Sequence, residues 1–260
     1  MTDTVRIVQL YPVELGITGD RGNVRALQVR LERAGVPVEV VHVGIGDPLP
    51  ADADILVFGN GPLSAMRLVA DDLRARSAEL EAFVAAGGSL FSIGASAELL
   101  SEGVDLLDGE KLEGLGIFPF RVARTRERNV GYIIADTVDG RVIGFEDHAS
   151  RWMLGADAVP YGAVVAGKGS FARAGGVGDE GGSGAGEIVR RGEAYASNVQ
   201  GPALPLNPQW ADAILSAVTS RRGIEWSAGE AHAHLNEYAD GARAAIEHLI
   251  HSKDFRTIGL

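Results

Sequence analysis

The hydrophobic and polar positions divide the chain into two unlike halves. In the first half, short apolar-rich runs alternate with longer stretches of helical period. Val5 to Leu10, Val38 to Val43, Asp54 to Phe58 and Ser89 to Ile93 are of strand length, and the last reads as a short buried strand. Val24, Leu27, Val29 and Leu31 give the helix after the first run an apolar side, with Asp20 and Asn23 as candidate caps and Gly35 as its end. Gly59-Asn60-Gly61-Pro62 follows the third run and opens one or two helices through Ala86. Leu68, Leu73, Leu80 and Phe83 are expected to face inward there, and Gly87-Gly88 is the stop. Strand, helix, strand at this spacing predicts βαβ units and a mostly parallel central sheet flanked by helices.

After Ser101 the period changes to two. Gly116 to Val122, Val130 to Ala135, Arg141 to Phe145, Tyr161 to Ala166, Glu187 to Arg191 and Glu193 to Val199 read as strands, some parted by turn residues such as Asp139-Gly140. They predict a mixed or antiparallel β extension of the same sheet. Nine of the twenty residues in 167–186 are glycine, which predicts a flexible loop. A passive linker fits it better than a phosphate cradle, because no Gly-Lys-Ser or Gly-Lys-Thr and no helix start follows. Asn207-Pro208 caps a helix to about Arg222, so residues 1–222 read as the main domain. Residues 223–260 read as a C-terminal helical extension, with one amphipathic helix from Ala228 to His251. Its Leu235, Tyr238, Ala242, Ile246 and Leu249 are either a docking surface or a packing face.

Composition narrows the chemistry. With 260 residues, 46% hydrophobic and 23% charged, the chain has enough apolar surface for a sizeable core. A formal net charge of −11 argues against nucleic-acid and anionic-membrane surfaces and leaves small molecules and proteins as partners. There is no cysteine, which removes disulfides, thiolate metal sites and cysteine nucleophiles together. The opening residues carry no signal-peptide pattern and no apolar run approaches the length of a membrane span, so a cytoplasmic location is expected. Histidines at 42, 148, 232, 234, 248 and 251 form no His-Glu-x-x-His arrangement, and no metal is expected.

The stretch that bears on function runs from Gly88 to Ser101. It reads as a buried strand that turns sharply at Gly94 into a helix starting near Ala95. Such a turn holds one side chain over helix-terminal N–H groups and often carries an activated nucleophile. Here the apex residue is glycine, which has nothing to attack with.

Several motifs in order resemble the class I glutamine amidotransferase domain of the cobyric acid synthase-like branch. They are Leu10-Tyr-Pro with Gly19-Asp-Arg-Gly-Asn23, Gly59-Asn-Gly-Pro62, the elbow at Gly94, Leu112-Glu-Gly-Leu-Gly-Ile117, Gly144-Phe-Glu-Asp-His148 with Arg151, and Gln200-Gly-Pro202 with Leu204-Pro205. Within the branch they are most similar to the GatD-type glutaminase subunits of lipid II isoglutaminyl synthases, which work with a MurT-type, Mur-ligase-like partner. The resemblance implies a three-layer α/β fold with a flavodoxin-like core. It also implies a cysteine at position 94 that attacks a glutamine amide, and at position 200 a histidine that accepts the thiol proton.

This chain has Gly94 and Gln200 at those positions, and a glutamine side chain does not titrate near neutrality. Ser96 and His148 are the weak alternatives for a rebuilt site. Ser96 is expected to cap its helix, and His148 to be a partly buried histidine satisfied by a carbonyl. Gly59, Asn60, Gly61, Gly94, Ala95, Arg151 and Gln200 would line a vestigial pocket. Gly59-Asn60-Gly61 would supply oxyanion-hole N–H groups, and Arg151 would either lie on the glutamine route or form a surface salt bridge. Ser92 and Ser96 stand where the family has glycine and put glutamine binding in question.

The expectation is therefore a glutaminase-type subunit without glutaminase activity and without a cofactor of its own. It would serve as non-catalytic partner of a Mur-ligase-like enzyme that holds ATP and Mg and modifies the peptidoglycan stem-peptide glutamate. The alternatives are an active amidotransferase or hydrolase with a rebuilt site, and a glutamine-sensing binding module.

Overall fold

The computed structural model of the chain describes residues 4–155, 158–171 and 185–251. Strands β1 (Val5–Leu10), β2 (Val38–Val43), β3 (Ile55–Phe58) and β4 (Ser89–Ile93) alternate with helices α1 (Arg21–Arg33), α2 (Leu63–Ala75), α3 (Ser77–Ala85) and α4 (Ala95–Leu99). Short strands β5 (Gly103–Asp105) and β6 (Lys111–Glu113) precede a long hairpin, β7 (Phe120–Thr137) and β8 (Gly140–Leu154), which β9 (Gly162–Ala166) and β10 (Gly186–Glu187) follow. Next come β11 (Val189–Arg191), β12 (Ala194–Ser197), β13 (Val199–Gln200), α5 (Ala203–Leu206), α6 (Pro208–Arg222), a 3-10 turn at Glu230–His232 and α7 (Ala233–His251).

The first sheet has the order β11-β12-β4-β3-β1-β2, and every neighbouring pair is parallel except β11 with β12. The five parallel strands thus have flavodoxin-like order, with the winding reversing between β1 and β3. Leu56, Phe58 and Leu90 face a core shared with α2 and α3, whereas Ile55, Val57, Phe91 and Ile93 face one shared with α1 and α6. Both faces are covered, so the central strand β3 is buried and apolar in both parities, whereas the edge strand β2 exposes Glu39 and His42. The apolar-rich runs in the sequence are the trace of this three-layer packing.

The second-half strands depart from expectation by forming a sheet of their own. Only β11 and β12 extend the first sheet, while β5 to β10 and β13 make a second, seven-stranded one. The cause is the length of the hairpin. β7 pairs with β8 along one edge and with β5 and β9 at the two ends of the other, so both of its ends find strand partners outside the parallel sheet. One end of the hairpin places Phe120, Val122 and Trp152 in the α2 and α3 core. The other end places Ile133 and Val142, with Val164 of β9, in the α1 and α6 core.

Four local readings are corrected. Leu68 is 61% exposed, because Met66, Val69 and Leu73 form the inward stripe of α2. None of the three expected caps bonds its own helix. The Asp20 carboxylate turns to the β3 loop, Asn23 Oδ1 accepts the Leu204 N–H of α5, and Asn207 both accepts from and donates to the Ile143 backbone at 2.8 Å. Of the glycine-rich stretch, residues 172–184 lie outside the described residues, but its flanks are packed. The Lys168 and Gly169 N–H groups donate to the buried Glu146 carboxylate, and Ser170 donates to the buried Glu187. In α7, Tyr238 and Leu249 are exposed, and the inward side is Asn236, Ala239 and Arg243, bonded to Arg30 and Asn207 or buried beside them.

Trp152 stacks on Phe120 at a centroid distance of 4.3 Å and meets Phe171 edge-on at 5.5 Å. It ties the second sheet to the α2 and α3 core. Trp152→Ala is expected to cost about 3–5 kcal/mol of unfolding free energy in urea denaturation. A loss under about 1 kcal/mol would show that this seam is not structural.

Candidate functional site

Parallel strands all end on one edge, so the carboxyl ends of β1, β3, β4 and β12 lie side by side there. Ligand sites of open parallel sheets form on that edge, where the winding reverses. The Gly59-Asn60 turn leaves β3 at this edge, Gly94 leaves β4, and Gln200 follows β12 by three residues.

Gly94 has φ 58° and ψ −118°, a conformation that side chains of L-residues rarely adopt. Its N–H donates to Ser197 O on the neighbouring strand at 2.8 Å, and its carbonyl accepts the Glu98 N–H inside α4. The strand therefore turns into the helix as a nucleophile elbow does, with a hydrogen where the nucleophile would stand. The space beside that hydrogen is filled. A Cβ added at Gly94 would meet Asn60 Oδ1 at 2.4 Å.

Asn60 connects three sides of the site. Its Oδ1 accepts the Ala95 N–H at 2.9 Å, and its Nδ2 donates to Gln200 Oε1 at 3.3 Å. Gln200 passes the chain on by donating from Nε2 to Asp147 O at 3.1 Å. The Asn60 N–H donates to Asp20 Oδ2 at 3.1 Å, and Thr18 Oγ donates to the same oxygen at 3.0 Å. Burial pushes the Asp20 carboxyl above the ordinary carboxylate range, opposed by these hydrogen bonds. The Ala95 N–H is thus bonded to a side chain of the chain itself, and the Asn60 N–H, one of the expected oxyanion donors, to a carboxylate.

Close packing also explains why the Gly-Asp-Arg-Gly and Gln-Gly-Pro motifs occur in one chain. A Cβ at Gly22 would lie 2.6 Å from Pro202 Cβ, so the start of α1 can meet that proline only as glycine.

Neither alternative nucleophile stands free. Ser96 Oγ donates to Ile93 O at 3.0 Å and accepts the Ile93 N–H at 3.1 Å, bonding back across the elbow rather than capping α4. Ser92 Oγ donates to Tyr195 O at 2.8 Å. His148 is buried in β8, its Nδ1 3.0 Å from Ser150 O and its Nε2 3.8 Å from Glu146 Oε2. No bond joins Ser96 to His148. Glu187 accepts from Ser170 through one oxygen, and from Ser197 Oγ and the Asn198 N–H through the other.

Of the two readings of Arg151, its exposure favours the surface one. Arg151 pairs with Ala123 between the buried Ser150 and Trp152, so strand alternation puts it on the exposed face of the hairpin. The arginine on the inner face is Arg124, which pairs with Glu98 of α4 and donates to Met66 Sδ at 3.0 Å. Arg128 pairs with Asp147, whose carbonyl holds Gln200. Neither was singled out in the sequence. The available signal was Arg124, Arg126 and Arg128 at period two in a polar stretch between two apolar strand ends, blurred by a register shift between Arg124 and Asn129.

Tyr11, at φ 50° just past β1, donates to Asp72 at 2.7 Å, and Asp72 also accepts from Arg76 and the Gly46 N–H. Bonding to Arg76 holds the Asp72 carboxyl down at about 2. Among the described residues, no three His, Asp or Glu side chains are placed to hold a metal, and no helix is long and apolar enough to cross a membrane.

Comparison with known proteins agrees with this geometry. Residues 7–197 match the family described as CobB/CobQ-like glutamine amidotransferase domain. The chain is 27% identical over 222 residues to the lipid II isoglutaminyl synthase (glutamine-hydrolyzing) subunit GatD of Streptococcus pneumoniae, covering 84% of this chain and 82% of that one. It is 26% identical over 219 residues to the GatD subunit of Staphylococcus aureus, covering 84% and 85%. In fold it is similar to the solved structure of PurLQS from Thermotoga maritima, with a TM-score of 0.57 at 14% identity, covering 83% of this chain and 98% of that one.

The depressed Asp72 value sets a pH dependence. A carboxyl whose folded pKa lies below its unfolded value of about 3.9 stabilises the fold above that value and stops doing so as pH falls through the folded one. Asp72→Asn is expected to cost about 1–3 kcal/mol at pH 7, with the gap to the unaltered protein closing between about pH 4 and pH 2. A gap that stays constant over that range in chemical denaturation would refute the ion pair.

Proposed function

The chain belongs to the CobB/CobQ-like glutamine amidotransferase domain family, and we propose that it is a GatD-like subunit that has lost glutamine hydrolysis and persists as the non-catalytic partner of a Mur-ligase-like enzyme. Residues 1–222 would be its amidotransferase-like domain and 223–260 an extension. The observation that carries this reading is the elbow itself, with no side chain at Gly94, a neutral amide at Gln200 and the Ala95 donor already bonded to Asn60.

The chemistry supports it as follows. Hydrolysis of a glutamine amide through a covalent intermediate needs a nucleophile, a base to accept its proton and later protonate the leaving ammonia, and donors for the oxyanion. At this elbow the first is missing, the second is a group that does not titrate, and the Ala95 donor is occupied. Loss of nucleophile or base alone typically costs orders of magnitude in rate. The rebuilt-site alternative is disfavoured because Ser96 is bonded to the Ile93 backbone in both directions and His148 is turned to Ser150 and Glu146.

The proposed substrate is supported by the relatives, whose names carry lipid II isoglutaminyl synthase and glutamine hydrolysis. The partner would activate a stem-peptide glutamate carboxyl with its own ATP and Mg in the cytoplasm. The amine would then be free ammonia or an amino acid rather than ammonia from this subunit.

The test is ATP-dependent ligation by the co-purified pair with glutamine, ammonium or single amino acids as donor, alongside a glutaminase assay. The expected outcome is ligation with ammonium or an amino acid and no glutamate released from glutamine. Glutamine as the sole productive donor would refute the proposal.

A further inference from the structure

We propose that the Asn60 side chain is a built-in carboxamide ligand of this elbow, occupying the place where the carboxamide of a substrate would be polarised. This goes beyond the functional reading, because it concerns what fills the site rather than which catalytic groups the site lacks.

Three observations carry it. The N–H after the apex of a strand-to-helix elbow is the donor that such turns aim at the oxygen of the reacting carbonyl. Here that donor, Ala95 N–H, meets Asn60 Oδ1 at 2.9 Å, a normal bond to a primary carboxamide oxygen. The same oxygen lies 2.4 Å from where a Cβ on residue 94 would be, so it sits next to the apex rather than beside the site.

The amide orientation is determined by its partners. Turned the other way, Asn60 would point its NH2 group at the Ala95 N–H and its oxygen at Gln200 Oε1, leaving two donors and two acceptors facing each other. Asn60 is also held from behind, since its own N–H is bonded to buried Asp20 and its carbonyl accepts the Ile17 N–H at 3.2 Å. With backbone and side chain both bonded, the carboxamide is preorganised at the donor. A free primary carboxamide would have to displace it.

The absence of cysteine makes this directly testable, because Gly94→Cys creates a single thiol at the apex. Iodoacetamide, itself a primary carboxamide, is the probe. Its alkylation of Cys at position 94 is expected to be at least about tenfold faster in the Asn60→Ala, Gly94→Cys protein than in Gly94→Cys alone, the factor for removing one hydrogen-bonded occupant. The thermal cost of Gly94→Cys should also shrink when Asn60 is shortened.

A second measurement needs no cysteine. In Asn60→Ala the Ala95 amide should exchange with deuterium at least about tenfold faster, while the helical Leu100 amide, bonded to Ser96 O, keeps its rate. Added acetamide should slow Ala95 exchange in Asn60→Ala and leave the unaltered protein unchanged. Equal alkylation rates with additive thermal shifts would overturn the assignment, as would an Ala95 exchange rate indifferent to Asn60. Glutamine hydrolysis by the unaltered pair overturns the functional reading, whereas the Asn60 assignment stands or falls on Ala95.

Discussion

A parallel sheet buried on both faces leaves only its two ends for function, and that constraint organises this molecule. Helices cover Leu56 and Phe58 on one side and Ile55 and Val57 on the other, so the strands are given over mainly to apolar packing, and a polar residue among them such as Ser92 is bonded to neighbouring backbone. The carboxyl edge collects what remains: the Thr18–Asn23 turn, the Gly59-Asn60 loop, the Gly94 elbow and the Gln200 turn. The Asn60 and Ala95 N–H groups leave these turns with no strand or helix partner and need acceptors. Asp20 and Asn60 provide two of these, and the site is the result of that accounting.

The second sheet meets the same demand without cations. Glu146 and Glu187 are both buried; Glu146 accepts the Lys168 and Gly169 N–H groups, and Glu187 accepts backbone N–H and hydroxyl donors from Ser170, Ser197 and Asn198. Buried carboxylates accepting several fixed donors can replace an ion pair, and they tie distant segments into one position. Glu187 sits where the chain returns from the second sheet to the first, next to Ile188, a β-branched residue held at φ 64°. Such backbone strain persists only where surrounding bonds over-determine it.

The parallel half was legible because its rules are local. Four apolar runs, the glycines that stop the helices and the Pro at a first turn follow from the period of each element and its caps. The antiparallel half was legible as strands but not as a separate sheet, since period two does not say which strand pairs with which. The misplaced Leu68 has a similar origin. A leucine in a helix is apolar evidence for either side, and only Met66, Val69 and Leu73 buried together show which side is inward. The caps were misread for another reason. Asp20, Asn23 and Asn207 are short polar side chains beside helix starts, but partners brought from far along the chain outbid the local N–H groups.

At the site, the sequence by itself determined what is chemically missing: a thiol anywhere in the chain, a side chain at residue 94, and a titrating group at residue 200. These are properties of residue identity, and no folding can alter them. Only the tertiary structure decided what fills the space, because Asn60, Ala95 and Gln200 are far apart in sequence and their bonds exist only where β3, β4 and β13 end together. It likewise decided that Arg124 rather than Arg151 turns inward, since strand parity becomes direction only once the hairpin is packed against a core.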